Sequence, residues 1–550
     1  MKKTIKAERV ALFVIASLCG LAALAFILNF LIYSPENVSQ SLGVGDQESL
    51  SIPSYWPTQG WHSSTPEERG IDSSRLAEGL LSIRQKNIHI HSLLIIRNGS
   101  VVLDANFYPY DGKTVHELAS VTKSLMTTLI AIAADQGRLK LDQSMLSFFP
   151  ERTIANRDAL KERITVRHLA SMSSGLDSMG FEHDEGTLNE MMASQDWIEF
   201  ALDRKVVSEP GTRFVYDSPG MHILSGILQE ATGMTALEFA RENLFEPLGI
   251  REVIWPVDPQ GFNHGWGDVY LYPRDAAKIG YLWLNKGVWE GEQIVSRQWV
   301  EDSVKPQIKT DGDDYYGYGW WVSTDDNQAD YHALGRGGQY IMVVPYLNLI
   351  LVMTGGGFDY DEIEPLISPA LIDPERPLPA NPDGVAKLNA ALATIAQSPE
   401  PKPVPPLPQT ARAISGKTFE FQPNPWQLKT LCLNFNNSTE AGILITFAEN
   451  ESPRSGAVGL DGVYRMSLGQ NNFPAGYRGY WADKQTFVLE VDDIANLEAY
   501  VVQLHFADNQ VVLEGTERTH ESVIPFRGKL QNESNWRVRD NTQLSHFNCN

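Results

Sequence analysis

Apolar and polar positions change rhythm along this chain, and each change marks an element. His91 to Ile96 is a short apolar run, Asn98-Gly99 is a two-residue hairpin turn, and Val101 to Phe107 reads as the returning strand. From Ser120 the pattern becomes a strongly apolar helix that runs to about Asp135 and stops at Gly137. A turn-rich loop, Pro210 to Gly220, leads into a further helix that ends at Gly233, and Tyr340 to Met353 is again an apolar strand. Strands at both ends with helices between them predict an α+β domain, in which the terminal strands share one antiparallel sheet.

The texture differs on either side of that domain. Val10 to Tyr33 carries no charge and is long enough to cross a bilayer, which needs about 20 apolar residues. Lys2, Lys3, Lys6 and Arg9 precede it, whereas Glu36, Asp46 and Glu48 follow, so the asymmetry of charge puts the first residues in the cytoplasm and the rest outside. A cleaved signal peptide is the rival reading, although its apolar region normally spans only ~7–15 residues. Cys19 would suit a lipoprotein site, but Leu18 before it is too large for one. Towards the other end proline becomes frequent, with Pro401 to Pro408 a polyproline-type spacer and Val385 to Ile395 a short helix before it. After Ile414 short β-rich runs follow one another (Leu431–Phe435, Ile443–Phe447, Thr486–Val491, Tyr500–Phe506), and these predict a separate all-β barrel or sandwich. The expected division is a cytoplasmic stub at 1–9, a transmembrane signal-anchor helix at 10–33, a tether at 34–60 and the α+β domain at 61–372. A proline-rich linker at 373–410, the all-β domain at 411–530 and a tail at 531–550 complete it.

Composition adds exclusions. The 550 residues include 68 acidic against 45 basic, a net charge of −23, so the basic footprint of a nucleic-acid binder is missing. The three cysteines (Cys19, Cys432 and Cys549) form no Cys-x-x-Cys pair and allow one disulfide at most outside the membrane run. His89 and His91 share a strand face but lack a third ligand, so surface histidines are the default and no metal is expected. Asp311, Asp313 and Asp314 lack the spacing of a calcium loop and read as solvated, while the aromatics from Tyr315 to Trp321 suit either packing or a cleft mouth.

The chemistry lies in Ser120-Val121-Thr122-Lys123. Residues three apart lie on one helix face, so Oγ of Ser120 and Nζ of Lys123 can meet. A serine hydroxyl needs a neighbouring base to become a nucleophile, and lysine serves as that base only in its neutral form. A helix N-terminus also favours a developing oxyanion. Tyr216, on the loop Pro210-Gly-Thr-Arg-Phe-Val-Tyr216, is placed to reach a cleft and move protons.

Ser120–Lys123, Ile164-Thr-Val-Arg-His-Leu-Ala-Ser-Met-Ser-Ser-Gly175-Leu, Pro210–Tyr216 and Glu246-Pro-Leu-Gly249 occur in order, and together the stretch resembles the class C β-lactamase-related serine hydrolases. That family includes D-alanyl-D-alanine peptidases, esterases and 6-aminohexanoate-dimer hydrolases. The resemblance covers about Trp61 to Ile372 and implies a β-lactamase/transpeptidase-like fold with Ser120 as acylated nucleophile, Lys123 as partner base and Tyr216 as second proton-transfer group. It implies no cofactor. The family's Lys/His-Thr/Ser-Gly strand motif corresponds to Ala333-Leu334-Gly335, followed by Arg336-Gly337-Gly338-Gln339, so the backbone N–H groups of Ser120 and Arg336 become the implied oxyanion donors. Ser218, Ala333, Gly335, Gly337 and Gly338 become the implied substrate-binding positions. Two departures matter: Ala333 offers no cation, which Arg336 would replace if its side chain points inward, and Ser218 stands where the family has Asn. Both turn the expectation from β-lactams or cell-wall peptides towards a small amide or ester substrate. A non-catalytic binding protein on the same fold is the reading from another class, with the partner of the β-domain unknown.

Overall fold

The computed structural model describes residue 53 and residues 55–530, apart from 179–183, 325–329, 436–437, 449–452, 470–472 and 520–524. The expected stub, anchor and tail therefore lie outside the described residues. Among the described residues no helix is long and apolar enough to cross a membrane.

In chain order the first strands are β1 (Ile90–Arg97), β2 (Ser100–Asn106), β3 (His116–Glu117), β4 (Tyr270–Leu271), β5 (Val288–Trp289) and β6 (Glu292–Gln293). They are followed by β7 (Ile308–Lys309), β8 (Tyr315–Tyr316), β9 (Trp321–Ser323), β10 (Asp330–Gly335), β11 (Gln339–Val344) and β12 (Leu349–Gly355). Eight of them form one antiparallel sheet in the order β2-β1-β12-β11-β10-β9-β8-β7, so the chain's early hairpin pairs with its late strands as expected. Asn98 and Gly99, with φ of 50° and 72°, make the tight turn that joins β1 to β2. The expected single strand from Tyr340 to Met353 is instead two, β11 and β12, because Pro345 withdraws a ladder donor and Asn348 takes a left-handed φ of 48° to reverse the chain.

Helices cover both faces of the sheet. The principal ones are α1 (Ser73–Gln85), α2 (Val121–Asp135), α3 (Ser218–Thr232), α4 (Pro273–Leu284) and α5 (Pro382–Ala396). Alternate side chains part to opposite faces: Leu94, Ile96, Ile341, Val343 and Val352 join the core around α2, whereas Leu93, Ile95, Met342, Leu351 and Met353 join a second core with α1 and α5. Each such side chain contributes about 1.5–3 kcal/mol by leaving water. The expected linker at 373–410 is thus not a spacer throughout. Leu388, Ala391 and Ile395 lie along one face of α5 and are buried in the second core, and Arg84 of α1 donates to the Ile395 carbonyl at 2.8 Å. The expected tether likewise ends early, since Trp56 packs on Tyr281 and Trp289 and Pro57 is buried.

Ten further strands, from Lys417–Phe421 to Phe526–Leu530, form a second sheet. A pairing of Gly459 with Arg478 brings distant strands of that sheet together, making a barrel around Phe419, Leu431, Ile443, Phe487 and Leu504. Cys432 lies buried in it and is disulfide-bonded.

Candidate active site

Ser120 sits where β3 turns into α2. Ala119 before it takes a positive φ of 45°, a strained conformation for a residue with a Cβ, and Ser120 then enters the first turn of the helix. Its side chain caps no backbone N–H. The hydroxyl instead accepts a hydrogen bond from Lys123 Nζ at 2.8 Å. The helix is apolar on nearly every side and buried, which carries Lys123 down to 1% exposure. Its ammonium donates a second bond, at 2.9 Å, to the Trp266 carbonyl, and none of the ion pairs among the described residues involves it. Ser120 itself stays half-buried, so the hydroxyl is the member of the group that solvent reaches.

Tyr216 arrives from a different direction. Gly211 donates to the Ser173 carbonyl and Val215 to the Met172 carbonyl, both at 2.8 Å, so the 164–176 and 210–216 segments are stitched to each other. Asp217 caps α3 by accepting from Gly220 N–H at 2.9 Å, and a Cβ on Gly220 would stand 2.3 Å from Asp217 Oδ2. The Arg204 guanidinium grips the same carboxylate with two bonds, at 2.7 and 3.1 Å, in a buried pair. This anchored loop presents the Tyr216 ring to Lys123, with Nζ 4.6 Å from the ring centroid. Trp321 stacks on the ring with its centroid 6.1 Å away. A hydroxyl, an amine and a phenol ring thus converge on one spot, the constellation needed for nucleophilic attack with proton transfer.

The third wall is the end of β10. A Cβ on Gly335 would lie 2.5 Å from the Leu118 carbonyl and 3.2 Å from the Ala119 Cβ, so only glycine lets this strand approach the turn that holds Ser120. The other positions expected to bind substrate are placed as follows. Ala333 is 1% exposed in the core around α2, because its alternation along β10 points it inward. Gly337 and Gly338 have φ of 79° and 94°; the space beside them is filled by Leu497 and Thr519 for the first and by the Phe358 ring for the second. Ser218, the first residue of α3, is buried. The Arg336 side chain does not point towards the position Ala333 leaves without a cation. It turns to the barrel, donating to Glu498 at 3.1 Å and to Thr519.

Of the two histidines expected at the surface, His91 is buried and His89 half-buried, and both meet residues of the barrel. His91 Nδ1 meets His116 Nε2 at 2.8 Å, with Asp492 3.7 Å from its other nitrogen, and burial drops His91 to about 4. His89 accepts from Arg518 of the barrel. Among the described residues no group of three or more His, Cys, Asp or Glu could hold a metal. Asp311 and Asp313 sit exposed in the β7–β8 turn, whereas Tyr316, Tyr318 and Trp320 pack in the core. Trp266, which acts through its carbonyl, and Arg204 carry no signal in the sequence, whereas Trp321 belongs to the aromatic run expected to pack or to line a cleft mouth. Only Asp217, next to the tyrosine, hinted at a hidden cation.

Residues 81–362 match the family model described as Beta-lactamase. The 6-aminohexanoate-dimer hydrolase of Paenarthrobacter ureafaciens is 25% identical over 348 residues, covering 58% of this chain and 86% of that protein. Penicillin-binding protein 4* of Bacillus subtilis is 21% identical over 277 residues, covering 44% of this chain and 60% of its own. Among solved structures, the octameric penicillin-binding protein homologue from Pyrococcus abyssi is 17% identical with a TM-score of 0.46, covering 84% of this chain and all of that one.

Proposed function

The chain belongs to the beta-lactamase family and is a serine hydrolase, and from that premise we propose that it cleaves amide or ester bonds of a small substrate through an acyl-enzyme on Ser120. The 2.8 Å contact of Lys123 Nζ with Ser120 Oγ is the observation that carries the reading. In the neutral form of the lysine the bond reverses: the hydroxyl donates, and Lys123 takes the proton as Oγ attacks the carbonyl carbon. The backbone N–H groups of Ser120 and Arg336 meet the oxygen that gains charge. Tyr216 relays a proton to the leaving amine or alcohol, and water then releases the acyl group from Ser120.

Kinship with an amide hydrolase, together with the buried Ala333 where a substrate-binding cation would be expected, supports a small amide or ester over a β-lactam. The relative named a penicillin-binding protein supports the second reading, β-lactams or D-alanyl-D-alanine peptides. A fluorophosphonate probe is expected to label Ser120 in the wild type and to fail on Ser120→Ala; absence of labelling, with no turnover of esters, amides or β-lactams, refutes the acyl-enzyme. Relative rates across those three substrate classes decide between the two readings. The uncharged run at 10–33 supports anchoring in a membrane with the enzyme outside the cytoplasm. The full chain is then expected in the membrane fraction, and recovery of all activity in the soluble fraction counts against the anchor.

A further inference from the structure

The turn after β10 carries the Arg336 N–H, and both of its carbonyls are tied from within the domain: Gln339 Nε2 donates to that of Arg336 at 3.1 Å and Gly357 N–H to that of Gly337 at 2.9 Å. Gly337 and Gly338 both adopt positive φ, which glycine takes without a steric cost. A further grip, on the Arg336 side chain, comes from the barrel. Glu498 accepts from one guanidinium nitrogen of Arg336 at 3.1 Å, while the other donates to Thr519 and lies 3.7 Å from Glu517. Glu517 is itself fixed, accepting from Thr519 N–H at 3.1 Å and from Thr519 Oγ1 at 2.6 Å. A planar guanidinium held at several points is fixed in place and tethers the backbone that bears it.

The same barrel loop reaches the other half of the site. Ala495 accepts from the Glu117 N–H at 2.8 Å, three residues before Ser120, and Tyr270 of β4 donates to Asn496 at 2.8 Å. Leu497 lies against the open side of Gly337, and its carbonyl against Gly356. One short segment, 495–498, therefore touches the strand that leads to Ser120 and the turn that carries Arg336.

We propose that the carboxy-terminal barrel is a working wall of the active site, in which Glu498, Thr519 and the Arg336 side chain are positioning residues that fix the Arg336 N–H against the oxyanion. This rests on the acyl-enzyme reading above. A preorganised donor is effective only when held within a few tenths of an ångström, so a loosened turn costs transition-state stabilisation more than substrate binding. The arrangement accounts for the glycines at 337 and 338, which let protein pack on protein rather than admit a ligand.

The experiment uses the full chain and p-nitrophenyl acetate, comparing Arg336→Gln and Glu498→Gln, alone and combined, with Thr519→Val and Arg336→Lys. Each loss of the clamp is expected to lower kcat by about tenfold or more with KM changed by less than about twofold. The double variant is expected to be no slower than the slower single one, and Arg336→Lys to recover part of the rate. Glu440→Gln, which breaks the Arg465–Glu440 pair within the barrel, serves as the control and is expected to leave kcat unchanged. Should Arg336→Gln melt early, Thr519→Val, which removes one hydroxyl that accepts from Arg336 and donates to Glu517, decides the matter. Single variants at wild-type kcat, or losses that multiply in the double variant, overturn the proposal. Wild-type protein that hydrolyses the ester without labelling at Ser120 overturns the acyl-enzyme instead.

Discussion

Tyr216 shows how a ring can be positioned by contacts with its π face. Its ring meets Lys123 at 4.6 Å and Trp321 at 6.1 Å, and neither contact uses the phenol oxygen. Tyr216→Phe keeps these ring contacts and deletes the hydroxyl that carries the proton. The expected outcome is a kcat lower by roughly 10²–10⁴-fold. Unaltered kcat would remove Tyr216 from the mechanism. Ser120 and Lys123 were legible from sequence because their relation is local, three positions on one helix face. Arg204 was not. It lies 13 positions from Asp217, and nothing about an arginine at the end of a short helix announces a buried partner. Trp266 was invisible for a different reason: it contributes a main-chain carbonyl, which every residue possesses.

At the scale of elements, turn chemistry was the most readable signal. Asn98-Gly99 and the glycine at 233 mark the turn and the helix end where the structure has them. The break between β11 and β12 was hidden because apolar residues continue through Pro345 to Leu347, although the proline itself marked the boundary. The barrel strand Thr486–Asp493 ends on a feature that only packing creates. Burial, despite the Arg454 cation nearby and with Glu498 and Asp492 adding to it, pushes Asp493 up from 3.8 to about 7. Between those values the native state holds a proton that the unfolded chain has released, so this group lowers stability as pH rises through the window. Asp493→Asn keeps the shape without the titration. Its melting temperature, measured against the wild type, is expected to rise from about pH 4 to about pH 7 and then level off, a gain of a few kcal/mol at most. Parallel curves for the two proteins would show that Asp493 does not titrate in this range.

For the whole molecule, the sequence predicted two folded bodies but not that they share a working surface. Contacts such as Arg336 to Glu498 span 162 positions, and residues so far apart leave no periodic trace. The spacer between them also does less than it promised, because Val404 and Leu407 lie against the barrel core and Lys402 N–H bonds to the Asp461 carbonyl at 2.8 Å. A protease site inserted between Gln397 and Pro401, once cut, is expected to leave two fragments that elute together and retain activity. Fragments that separate at micromolar concentration would mean that the covalent link, not the interface, holds them.

The grip on Arg336 also sets an order in time. Ser120, Lys123 and Tyr216 leave the ribosome early, and the core around α2 needs nothing from the barrel to close. Glu498 and Thr519 come much later, roughly 10–30 s after Arg336 at ordinary rates of synthesis. Until then the growing chain carries a nucleophile with one of its two oxyanion donors not yet clamped. The hydrolase thus reaches its full rate only on completion, and a chain broken off before its barrel is expected to be a slower enzyme than the whole one.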